Sequence, residues 1–216
     1  MNFDAVAPIY QLMERVVFGH KLQLARCAHL PASLAVLAGG ESAKILVIGD
    51  GDGRFAAQLA EEIVSRGIDE IVRVDVVELS QGMCAELRHR LASYPFCRVH
   101  CADVRDWRES DYQLVFCHFV LDLYRGSEFD QWIEILDHLV QSAGYLVVTD
   151  FENHPDGGIF ATCLLRVMYQ FFHYSAGIPV GQLEGRIASM DGLNAELVGE
   201  FSQLNGFVQS RLWRKI

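Results

Sequence analysis

Lysine is scarce in this chain, three residues against fifteen arginines, and the basic residues form no run longer than Arg214-Lys215. With a formal net charge of -10, the surface repels phosphate backbones. That argues against a non-specific nucleic-acid binder and leaves no basic tail or patch. The cysteines (27, 84, 97, 101, 117 and 163) never form a CxxC pair, and several lie in apolar strand-like runs. Reduced, buried thiols are the expectation for them. No apolar run exceeds strand length, so no membrane span is expected. Met1–Asp4 shows no charged leader ahead of an apolar core, so no signal peptide is expected either. A cytoplasmic protein follows from these absences. Repeats, low-complexity stretches and a convincing linker are also lacking. What remains is 216 residues, 51% of them hydrophobic, enough for one domain with a substantial core.

Within that domain the chain keeps a regular rhythm. Residues 8 to 29 read as an amphipathic helix, with Ile9, Leu12, Met13, Val16 and Val17 at helical spacing, closed by Pro31 and Gly39-Gly40. Lys44–Ile48 is a short apolar run, the pattern of a strand buried on both faces. Helices are expected over Phe55–Ser65 and Gln81–Ala92, and strands over Ile71–Glu78, Cys97–Cys101, Leu114–His118 and Tyr145–Phe151. A helix over Ser127–Val140 is expected to start from Ser127, with Asp130 three residues on. Alternation at this spacing predicts a parallel sheet covered on both faces, a doubly wound α/β fold. The end breaks the pattern. Ala195–Leu204 and Phe207–Trp213 flank Asn205-Gly206, a dipeptide suited to a tight antiparallel hairpin.

The informative segment is Gly49-Asp50-Gly51-Asp52-Gly53, where the first strand runs straight into a helix. Glycine lets the backbone turn sharply and lets a ligand approach closer than a Cβ allows. Free N–H groups at the helix start favour a ligand with acceptor atoms. The dinucleotide fingerprint needs its third glycine where this chain has Arg54, and the phosphate loop GxxxxGK[ST] is absent. Glu78 ends the second strand, where a carboxylate can accept hydrogen bonds from both hydroxyls of a ribose. Asp103 ends the third, positioned to accept from an exocyclic amine; a helix cap or surface charge is the competing reading. His118 ends the fourth. All lie at the carboxyl ends of strands, the ligand-binding edge of such sheets.

The GxGxG turn, the acids after strands two and three and the terminal hairpin resemble class I S-adenosylmethionine-dependent methyltransferases over residues 44 to 214. The leader Phe3-Asp4-Ala5-Val6-Ala7-Pro8-Ile9-Tyr10 resembles the opening of their ubiquinone/menaquinone-biosynthesis-type branch. The resemblance implies a Rossmann-like, seven-stranded sheet, mostly parallel with a terminal antiparallel β-hairpin. It implies S-adenosylmethionine as cofactor, held by Tyr10, Gly49, Asp50, Gly51, Gly53, Glu78, Leu79, Met83, Ala102, Asp103, Val104, His118 and Phe119. It also divides the one domain (1–216) into a helical cap at 1–40, a cofactor-binding core at 44–151, a helical acceptor-side cover at 152–190 and the hairpin at 195–214. Two departures stand out. The acid that usually precedes the first glycine by two positions is Val47, and Asp50 and Asp52 are the carboxylates that can substitute for it electrostatically, although both can also be solvated turn residues, the plainer reading for Asp52. No N-P-P-Y tetrapeptide follows strand four, where Cys117-His118-Phe119-Val120 stands. That argues against methylation of base amines or glutamine amides.

Methyl transfer from a sulfonium relies chiefly on proximity and orientation. A base is needed only if the acceptor must first lose a proton; His118, Asp122 and His154 are the candidates. Cys97, His100 and Cys101 do not share one strand face, so no metal site is assigned. The segment from Ile159 to Ile178 is apolar nearly all round, broken only by Arg166, Gln170 and His173. Such an element buries more than one side, as the cover of a small apolar or aromatic acceptor, as a core helix or as a homodimer contact. Three other functions compete. Ile45–Gly53 also resembles the turn of aminopropyltransferases, whose further acids are replaced here by Leu79 and His118–Leu121. A non-catalytic module that binds S-adenosylmethionine or another protein is the second. A nicotinamide oxidoreductase is the third, opposed by Arg54 and the hairpin.

Overall fold

A computed structural model describes residues 20–37, 42–152, 190 and 192–216. It confirms the doubly wound plan. Two short helices, α1 (Lys21–Cys27) and α2 (Leu30–Ala35), lead into β1 (Ala43–Ile48), α3 (Arg54–Ser65), β2 (Val72–Glu78), α4 (Gln81–Arg90), β3 (Cys97–Cys101), β4 (Tyr112–His118), α5 (Ser127–Leu139), β5 (Val140–Phe151), β6 (Ala195–Gln203) and β7 (Val208–Lys215). The seven strands lie in the order β3-β2-β1-β4-β5-β7-β6. The first five pair in parallel, and β7 pairs antiparallel with both β5 and β6. Among the described residues, no helix is long and apolar enough to cross a membrane.

Strand β1 is apolar throughout its centre because it has no solvent face. Ile45 and Val47 pack into one core with Phe55, Leu59 and Ile63 of α3, while Leu46 and Ile48 join the other with Trp132, Ile133 and Leu136 of α5. Full burial of such side chains contributes about 1.5–3 kcal/mol each. Leu30 and Leu34 of α2 enter the α3-side core, so the leader lies over the same face of the sheet.

Several local expectations are corrected. The leader is not one helix through residue 29: α1 ends at Cys27, and Pro31 stands in the first turn of α2 instead of closing the segment. A proline there blocks no hydrogen bond, because the first helical N–H groups have no intrahelical partner. Helix α5 starts from Gly126 at φ 50 with no side-chain cap, so Ser127 is not its cap. The hairpin turn is wider than two residues, with Leu204, Asn205 and Gly206 all at positive φ. The largest correction concerns sulfur. Cys84 and Cys101 are joined as a disulfide, their Cα atoms 5.9 Å apart; α4 and β3 bring together two residues whose spacing carries no such signal. Cys27, Cys97 and Cys117 are free.

Asp75 of β2, buried at 1% exposure, organises the sheet's outer half. Arg73 meets its carboxylate at 2.8 Å, His100 Nε2 at 2.8 Å, and the Tyr112 hydroxyl donates to it at 3.2 Å. Removing one member of a buried charged network leaves the others unpaired, at a cost of about 3–5 kcal/mol. Asp75→Ala is therefore expected to lower the melting temperature by on the order of 10 °C without a specific effect on ligand affinity. A calorimetric scan checks this; a variant melting like the parent contradicts it.

Candidate functional site

The turn after β1 is shaped by its first glycine. Gly49 sits at φ 73, and a Cβ there would overlap Val120 Cγ2 and stand 3.0 Å from the His118 carbonyl oxygen. This close packing brings the loop after β4 against the turn. Gly51, at φ 66, faces open space with nothing within 4 Å of an added Cβ. The turn thus leaves its backbone open at Gly51, beside the start of α3.

Its two aspartates turn inward, against the expectation of a solvated turn residue at Asp52. Asp50 is buried, and its carboxylate accepts from the backbone N of Phe55 at 3.2 Å and of Ala56 at 2.7 Å. It caps α3, whose positive N-terminal end favours a negative charge. Burial pushes the Asp50 carboxyl up to about 7, opposed by Arg26 and those two backbone N–H groups. Asp52 is also buried and pairs with Arg54 at 2.9 Å and Arg90 at 3.6 Å.

Glu78 ends β2 beside this turn. Its Oε2 accepts from Gly51 N at 3.2 Å, and its Oε1 from Ser80 N at 2.9 Å. The same carboxylate therefore braces the glycine turn and its own loop, leaving acceptor capacity for a ligand. Leu79 next to it is exposed, Met83 is buried, and Ser80 caps α4 by accepting from Met83 N. Across the loop, Ala102 and Asp103 are half-buried and Val104 is buried. Asp103 caps the short turn after β3, accepting from Arg105 N at 2.9 Å and pairing with the Arg105 guanidinium. That pairing holds its carboxyl below the usual range.

His118 is fully buried, with its ring 4.4 Å from that of Phe55. Neither ring nitrogen has a hydrogen-bond partner among the described residues. Burial, then the charge of Arg26, keeps its pKa well below the ordinary histidine range. Phe119, at φ 54, donates its N–H to Thr149 O at 2.7 Å. Asp122 is half-buried just beyond. Tyr10 and His154, and nearly all of the cover at 152–190, lie outside the described residues.

Two residues join this site that sequence reasoning missed. Arg26 of α1 is buried, with its guanidinium carbon 4.8 Å from the centre of the Phe119 ring. A single arginine in a leader helix carries no local signal. Asp150 of β5 is also buried, accepting from Leu121 N at 2.8 Å, Asp122 N at 3.2 Å and Phe151 N at 2.8 Å. Burial and the neighbouring Asp122 raise its pKa well above the usual value. It holds the β4 loop in place from the neighbouring strand.

Residues 45–144 match a family model described as a methyltransferase domain. Comparison with curated proteins finds no match. Among solved structures, the chain resembles the N-methyltransferase NodS of Bradyrhizobium japonicum WM9, solved with S-adenosyl-L-homocysteine. The TM-score is 0.62 at 16% identity, covering 95% of this chain and 97% of that one. It also resembles the DszA carbon methyltransferase (TM-score 0.61, 16% identity, 99% and 60% covered). An O-methyltransferase family protein from Burkholderia thailandensis is similar too (0.62, 14%, 88% and 57%). At such identities the likeness establishes the fold. The chain shares the Rossmann-like fold of these structures, and its glycine turn lies within the stretch that matches a methyltransferase domain.

Proposed function

We propose that the protein transfers the methyl group of S-adenosylmethionine to a small, largely apolar or aromatic acceptor. S-adenosylmethionine supplies a methyl group activated on a sulfonium. The observation that carries the reading is the open surface over Gly51, bounded by the Glu78 carboxylate at the carboxyl edge of the sheet. In this reading a ligand of nucleoside size lies over that backbone, with Glu78 accepting from its ribose and the exposed Leu79 and the Ala102–Val104 turn flanking its base. The ubiquinone/menaquinone-biosynthesis-type branch belongs to the same proposal, with Tyr10 closing over the cofactor.

Val47 removes the usual acid near the cofactor's amino-acid end, and Arg26 gives that end a different character. A buried guanidinium stacked on Phe119 favours a carboxylate. That preference separates a methyl donor, which carries one, from the decarboxylated donor that an aminopropyltransferase uses. Thermal shift and calorimetry with S-adenosylmethionine, S-adenosylhomocysteine, decarboxylated S-adenosylmethionine and NAD test the whole reading, since a ligand of the folded state raises its melting temperature. The first two are expected to stabilise. Preference for NAD or for the decarboxylated donor refutes the proposal. Arg26→Met is expected to weaken S-adenosylmethionine about tenfold to a hundredfold, the worth of one charged hydrogen bond, while hardly affecting the decarboxylated donor. Equal losses for the two ligands would remove Arg26 from this role.

Among the base candidates, Asp122 suits the task better than His118, because a proton taken by His118 would be buried beside Arg26. For many acceptors orientation alone suffices. The acceptor cover is assigned to residues 159–178 on their apolar composition, with Tyr169 and His173 as the polar groups that would orient a ligand.

A further inference from the structure

The disulfide lies against the loop that presents Glu78. Cys84 stands in the first turns of α4, and Cys101 is the last residue of β3. Cys84 Sγ is 3.4 Å from the carbonyl oxygen of Glu78, and Cys101 Sγ is 3.8 Å from that of Ser80. The Glu78 carbonyl also accepts from Ala102 N at 3.1 Å. As thiols, both cysteines therefore have a carbonyl acceptor within reach; as a disulfide, their Cα separation of 5.9 Å fits the bond. The same backbone accommodates both redox states.

We propose that Cys84 and Cys101 form a reversible redox-modification site that sets the affinity of the Glu78 loop for the cofactor. The proposal rests on the reading of that loop as cofactor-binding. The oxidant is a peroxide. Cys101, partly exposed where Cys84 is fully buried, attacks one peroxide oxygen; the O–O bond breaks, giving a sulfenic acid and one water. Cys84 sulfur then attacks Cys101 sulfur, the S–O bond breaks, and the hydroxide leaves with the Cys84 proton as a second water. Two thiols lose two electrons, and one peroxide is reduced to two waters. A dithiol reverses the change by exchange through a mixed disulfide. The other described cysteines hold their protons: burial pushes Cys27 up to about 11, Cys97 to about 12 and Cys117 well above its usual value. The thiolate is the reactive form, and among the described cysteines Cys101 is the partly exposed one with a second sulfur, Cys84, placed to resolve its sulfenic acid.

The bond ties α4 to β3 on either side of the loop, whereas in the reduced state the two sulfurs contribute only weak S–H donors to it. A site kept in its binding geometry loses less freedom when the ligand arrives, so the oxidised protein binds more tightly. The test uses the full chain treated with hydrogen peroxide or with dithiothreitol, its redox state verified by thiol alkylation and mass, and calorimetry with S-adenosylhomocysteine. Reduction is expected to raise the dissociation constant about three- to tenfold. Cys101→Ser is expected to bind like the reduced protein and to lose the response. Cys84→Ser replaces a buried thiol, so its melting temperature is recorded beside its affinity. Equal affinities in the two verified states, or a response that survives in Cys101→Ser, overturn the proposal. Absence of binding in both states overturns the cofactor reading itself, and the redox proposal with it.

Discussion

Gly51→Leu is expected to weaken S-adenosylhomocysteine binding by at least about a hundredfold, roughly 2.7 kcal/mol, while the domain still folds. The residue faces open space, with nothing among the described residues within 4 Å of an added Cβ. Its cost to folding is mainly that of holding an L-residue at φ 66, about 1–2 kcal/mol, or a few degrees in melting temperature. What the side chain does fill is the volume assigned to the ligand. Gly49→Leu is the control, because its side chain collides with Val120 and the His118 carbonyl and disturbs folding instead. Calorimetric titration and a melting scan on both variants separate the two effects. Unchanged affinity in a folded Gly51→Leu protein would place the cofactor elsewhere.

Glu78→Ala is the second large effect. The carboxylate braces Gly51 N and Ser80 N, and in the proposed complex it also accepts from the ribose. Losing a charged acceptor typically costs about 1.5–3 kcal/mol, a ten- to hundredfold loss of affinity. Glu78→Gln retains one acceptor oxygen and is expected to fall between the parent and Glu78→Ala. Asp75 cannot take over the role, since Arg73, His100 and Tyr112 already engage its buried carboxylate. A loss below about twofold for Glu78→Ala would remove the carboxylate from the binding site.

The positions that were legible beforehand are those whose signal is local. Three alternating glycines after an apolar run mark a strand-to-helix turn wherever the chain goes next, and all three adopt positive φ. Asn205-Gly206 likewise marks the hairpin from its own backbone preferences. Asp52, buried beside Asp50, shows where local reading misleads. Turn aspartates are ordinarily solvated, yet here the start of α3 and two arginines draw them inward. Arg26, Asp150 and the Cys84–Cys101 pair had no local signal, because each acts on a residue remote in sequence.

By itself, then, the sequence determined the element types, the alternation that makes a doubly wound sheet and the turn at which ligands meet it. Those follow from periodicity and from which residues tolerate which φ, and both are properties of short segments. Only the tertiary structure decided that β4 lies beside β1 and Val120 beside Gly49, that α1 brings Arg26 onto Phe119, and that α4 meets β3 at two cysteines. Each of these is a packing outcome, settled by how faces of comparable apolarity fit one another once the whole chain is in place.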